Sequence, residues 1–104
     1  MSNWYILDNN NRPVNKPVLE AAKWIEDNQI RSRVRYNELT DLNGNEVRVS
    51  TVFLGLDHAW KSPIPVLWET MIFGGEHDQY QERYTSYEDA VEGHQNAVNL
   101  INKI

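Results

Sequence analysis

Two runs decide how this chain folds: Val49-Ser50-Thr51-Val52-Phe53-Leu54-Gly55-Leu56-Asp57-His58, and Trp68-Glu69-Thr70-Met71-Ile72-Phe73-Gly74-Gly75. Each is rich in β-branched and aromatic residues and stops at polar or glycine punctuation, as strands do. Working outward, Ile30 to Leu39 alternates. Ile30, Val34 and Tyr36 should point one way, and Arg31, Arg33, Arg35 and Asn37 the other, giving a strand with one wet, basic face. Asn43-Gly44 supplies positive φ angles for a hairpin into Val47–Leu56. The end of that strand is apolar on both faces and should be covered on both. Val66 to Phe73 is the next strand, and Tyr80 to Tyr84 a short last one.

Helical spacing flanks the strands. Trp4 to Asp8 reads as a first strand, and Asn9 to Pro13 as a turn. Asn15 is a candidate cap for a helix from about Pro17 to Asn28 that presents Val18, Ala22 and Ile25, joined by Leu19 and Ala21, with Trp24 at the edge. Thr85 or Ser86 caps a final helix, Glu88 completing a capping box with Thr85. Tyr87, Ala90, Val91, His94, Ala97, Val98 and Ile101 form its apolar stripe. The order β-α-β-β-β-β-α predicts one α+β domain over residues 1–104. It would have a single, mainly antiparallel sheet with both helices on one face.

Composition narrows the function classes. The 104 residues suffice for one independent core. There is no Cys, which removes disulfides and thiolate metal sites and fits a reducing compartment. No basic-then-apolar leader opens the chain and no run approaches a membrane span, so a cytoplasmic protein is expected. Fifteen acidic against ten basic side chains give a net charge of −5, which argues against non-specific nucleic-acid binding and permits a basic protein surface as partner.

The residues able to carry chemistry are Arg48, Asp57, His58, Glu69, Arg83 and His94. Asp57 and His58 end a strand and open a proline-stiffened loop. They could orient a general base, or simply cap a turn and face solvent. Glu69 lies between apolar neighbours and needs a partner among Arg83, Arg48 and His94. Gly93 precedes His94 in a helix, where it costs about 1 kcal/mol relative to Ala, so something should approach closely there. His58, His77 and His94 lack metal-ligand spacing, and no metal or cofactor is expected. Phosphate-binding loops and a nucleophile elbow around Ser50 are absent.

The two opening runs, with Gln81-Glu82-Arg83-Tyr84, Gly93-His94 and the Trp4-Tyr5 start, resemble a family of small proteins of tailed bacteriophages and prophages. That family's loop after the Asp-His pair is rich in glycine and proline. Here Lys61-Ser62-Pro63-Ile64-Pro65 keeps only the prolines. The family attaches no activity, so the resemblance transfers no catalytic residue. It implies an accessory protein that binds, sequesters or inhibits a host factor in the bacterial cytoplasm, counter-defence included, without turnover. The partner would be a host protein or a small anionic ligand, with self-association a further option. The alternative is a small hydrolase or phosphoesterase, or a nucleotide-binding protein, built on the same polar residues.

Overall fold

The computed structural model describes residues 2–59 and 62–102. Trp60 and Lys61 of the proline-stiffened loop lie outside the described residues. The elements run β1 (Trp4–Leu7), β2 (Pro13–Lys16), α1 (Val18–Asp27), α2 (Gln29–Ser32), β3 (Arg33–Thr40), β4 (Glu46–Phe53), β5 (Trp68–Phe73), β6 (Gln81–Tyr84) and α3 (Tyr87–Asn102). The class is α+β, but the strands form two sheets: a β1-β2 hairpin, and a four-stranded antiparallel meander in the order β3-β4-β5-β6.

The second sheet corrects the single-sheet expectation, and the cause lies at Asn15. Its side chain caps no helix. It donates to the backbone carbonyls of Ser2 and Trp4, each at 2.9 Å, and helps to close the hairpin in which Asn15 pairs with Tyr5. Asn11, at φ 61°, makes the turn before β2. The hairpin joins the larger sheet through the continuation of β4. Tyr5 N donates to Gly55 O at 2.8 Å, and Asp57 N to Asn3 O at 2.8 Å. Gly55 has φ +77°, a conformation that L side chains rarely adopt, and it lies against the tip of Ile25 where α1 meets this end of the sheet.

Strand alternation sets the core. Val47, Val49, Thr51 and Phe53 of β4 and Trp68, Thr70 and Ile72 of β5 all point to one face and are buried there. α3 packs on that face across all four strands, burying Ala90, Gly93, His94, Ala97 and Ile101. Its cap is Ser86, whose Oγ accepts from Asp89 N at 3.1 Å, rather than the Thr85–Glu88 pair. α1 does not lie across the sheet as its stripe suggested. It packs chiefly on β1, burying Ala21 and setting Trp24 edge-on against Phe53 at 6.1 Å. Val18 and Leu19 are left exposed.

The alternation read over Ile30–Leu39 also breaks. Ile30 lies in α2 and is 91% exposed. A bulge between Arg33 and Arg35 then lets Val34 reach the core while Arg35 stands opposite Thr51. Past the bulge, Arg35 and Asn37 are on the α3 side, and Tyr36 and Glu38 are on the other. In the following turn only Gly44 takes a positive φ. The Asp41 carboxylate organises the rest by accepting from the backbone N–H of Asn43 and Asn45 at 2.9 and 2.8 Å.

Candidate functional site

The six candidate residues fall in three separate places. His94 belongs to the buried face. It is 3% exposed. Its Nδ1 lies 2.7 Å from Thr51 Oγ1, and its Nε2 2.7 Å from Asn37 Oδ1. Thr51 and Thr70 are register partners on neighbouring strands, so their hydroxyls meet under the helix and hydrogen-bond. The Asn37 oxygen can only accept, which puts the imidazole proton on Nε2. Nδ1 of the neutral ring then accepts from Thr51, and Thr51 in turn accepts from Thr70. Burial, and secondarily the Arg35 guanidinium, hold the imidazole below its ordinary pKa and favour this neutral form. The chain ties α3, β3, β4 and β5 together, and its buried members Thr51, Thr70 and His94 bond to one another and to the exposed Asn37.

Glu69 points through the opposite face. Its side chain is only 13% exposed, and its carboxylate accepts from Arg83 Nε at 2.9 Å and from the Gln81 amide. Register explains the choice of partner, because Glu69 pairs directly with Arg83 across β5 and β6. Arg48 stands opposite Phe73, four residues along β4 from the Val52 that faces Glu69, or about 13 Å away. His94 is on the far side of the sheet.

Asp57 and His58 follow β4 and join neither group. Asp57 Oδ1 accepts from the backbone N–H of Ala59 and Val66 at 2.7 and 2.9 Å, clamping the ends of the loop. His58 is exposed, with Nδ1 2.7 Å from Leu56 O. The reading of Asp57 as a turn cap thus describes what it does here. Among the described residues no group of three or more His, Asp or Glu side chains is arranged to hold a metal ion.

What the strands do assemble is an open face. Cross-strand register builds it in four rows: Arg33–Val52–Glu69–Arg83, Tyr36–Ser50–Met71–Gln81, Glu38–Arg48–Phe73 and Thr40–Glu46. No helix or strand among the described residues packs over it. Tyr36 is 37% exposed, and Val52, Met71 and Phe73 are half-buried by their neighbours alone. Arg33 lies 4.9 Å from the centroid of the Tyr36 ring, and Arg48 5.5 Å from that of Phe73. The last row opens into a groove of about 800 Å³ that Gly74, Asp78 and Gln79 continue. The alternation of β4 and β5 carries the signal for most of this face, since every second residue between the core positions belongs to it. The bulge hid Tyr36.

α3 carries Glu88, Asp89 and Glu92 and no Lys or Arg from Tyr87 to Asn102. The open face sets Arg33, Arg48 and Arg83 among Glu38, Glu46 and Glu69. No family model matches the chain, and no curated protein or solved structure matches it.

Proposed function

We propose that the protein is a phage-type accessory factor that acts by occupancy, engaging a partner through the open face of the four-stranded sheet without turning anything over. The observation that carries this reading is the uncovered face. It sets Tyr36, Val52, Met71 and Phe73 beside three arginines on a rigid frame backed by α3. Aromatic, Met and Arg side chains are the types enriched where proteins meet. The polar residues that a hydrolase would need are divided between a buried chain, a surface ion pair and a loop clamp.

The test compares three forms of the protein as baits in bacterial host lysate. These are the wild type, Tyr36→Ala/Phe73→Ala, and Gln95→Ala on the exposed side of α3 as control. The wild type and the control should retain the same partner in a fixed stoichiometric ratio, in chelator as well as without it. The double variant, with an unchanged circular-dichroism spectrum, should lose it. Multiple-turnover conversion of nucleotides or phosphoesters by the purified protein would overturn the proposal.

A further inference from the structure

We infer that a second copy of this chain pairs along the free edge of β3, antiparallel and about a two-fold axis at Asn37. Among the described residues β3 is hydrogen-bonded to a strand on one side only, to β4. From Arg35 to Thr40 its register with β4 runs without a break, and the strand holds neither Pro nor Lys. Edges that stay single are usually short, bulged or guarded by such residues. The bulge here is confined to Arg33 and Arg35, where Arg35 folds back to donate to Val34 O at 2.8 Å. It ends the regular edge at that point. About five residues of each copy remain to pair, enough for about four to six backbone hydrogen bonds.

The strand is complementary to itself in one register. A two-fold axis along the sheet normal keeps both open faces on one side, so residues of that face must stand opposite one another. An axis at Glu38 would set two carboxylates directly opposite, which is unfavourable. An axis at Tyr36 would bring the bulge into the ladder and set Val34, which is buried in the core, opposite Glu38. An axis at Asn37 sets Tyr36 opposite Glu38 of the second copy and Arg35 opposite its Leu39, with no like charges directly opposed. Glu38 already accepts from the Tyr36 hydroxyl of its own chain, so the contact across the axis repeats a bond that these side chains make. Local charge allows the approach, since β3 carries Arg33, Arg35 and Glu38 and the acidic excess of the chain lies elsewhere. One open face, with four strands about 4.8 Å apart and some six residues at about 3.3 Å, covers roughly 400 Å². That is about half of a usual partner's share. Two copies joined at β3 continue the face across both sheets and restore the full share. The pairing stands on the edge alone; only this last consequence rests on the open face being the binding surface.

Sedimentation equilibrium of the full chain from micromolar to millimolar concentration tests the inference, with hydrogen exchange at both ends of that range. The wild type should pass from monomer to dimer, and amides between Arg35 and Leu39 should exchange more slowly as it does. Asn37→Asp keeps an acceptor oxygen for His94 but sets two carboxylates against each other on the axis. It should raise the dimer dissociation constant roughly fivefold at low salt. Gln95→Glu, which adds the same charge on the exposed side of α3, should change it little. Because Asn37 also bonds to His94, a second pair of variants leaves the core alone. Tyr36→Glu should weaken the dimer, and Tyr36→Lys, opposite Glu38, should keep or tighten it. A chain that stays monomeric throughout, a dimer that Asn37→Asp and Tyr36→Glu leave unchanged, or equal weakening in Gln95→Glu would overturn the pairing. A monomer that still retains its host partner would do the same and leave the open face standing as a binding surface. Dimers that retain no partner would support the pairing and remove the open face instead.

Discussion

Gly93 lacks a side chain because the Tyr84 ring occupies the place where a Cβ would go, 2.1 Å from the hydroxyl oxygen and 2.2 Å from Cζ. In an open helix, Gly→Ala gains about 1 kcal/mol. Here the overpacking cost, typically about 1–3 kcal/mol, acts in the other direction and exceeds it. Gly93→Ala should lower stability by about 1–2 kcal/mol in urea melts, and Tyr84→Ala in the same chain should cancel part of that loss. A close approach at Gly93 was legible from glycine's cost in a helix. The identity of the approaching group was not, since it depends on how β6 registers beside β5. His94 makes a second residue-scale prediction. Its native pKa is depressed by burial and then by Arg35, the charged group that faces it from β3. Above the unfolded histidine value of about 6.5, both states are neutral and the stability is fully present. As pH falls below that value the unfolded chain takes up a proton that the native chain refuses. Stability therefore declines until the native pKa is passed. Thermal melts from pH 8 to 5 should show this decline, and it should flatten in His94→Gln, whose baseline stability is lower.

At the scale of elements, the β1-β2 hairpin and the meander should differ in protection. β4 and β5 are central, and their inward residues are fully buried. β2 is an edge strand, and from Pro13 to Asn15 its residues are exposed. Native-state hydrogen exchange should find the slowest amides in β4, β5 and the middle of α3. The amides of β1 and β2 should open at a clearly lower free energy, and equal protection would show the two sheets to be one cooperative unit. The meander was legible because β4 and β5 repeat strictly at two residues and the connections on either side of that pair are short, although a longer loop joins β4 to β5. The hairpin was not. Asn15 before Pro17 has the chemistry of a helix cap, and only the side-chain bonds to Ser2 and Trp4, more than ten residues back, turn it to a strand. α1 was legible in part: of the residues at helical spacing, Ala21 and the Trp24 edge reached the core and Ile25 packs on Gly55, while Val18 and Leu19 stayed exposed because the helix lies on β1.

For the whole molecule, the sequence showed which residues carry charge and which strands hold them, but not which face each one reaches. Adjacent strand residues diverge, so Glu69 and the Thr70–Thr51–His94 chain end on opposite sides of one sheet, though their numbers suggest a cluster. One bulge moved Asn37 under α3 and Tyr36 into the open. The acidic helix on one side and the balanced face on the other have a consequence before any contact forms. The open face sets Arg33, Arg48 and Arg83 among Glu38, Glu46 and Glu69 and is formally balanced, whereas α3 presents Glu88, Asp89 and Glu92 with no basic residue among them. Through salt these charges are felt only within about a Debye length, roughly 8 Å at physiological ionic strength. A polyanion that comes within that range is repelled more from the α3 side than from the open face.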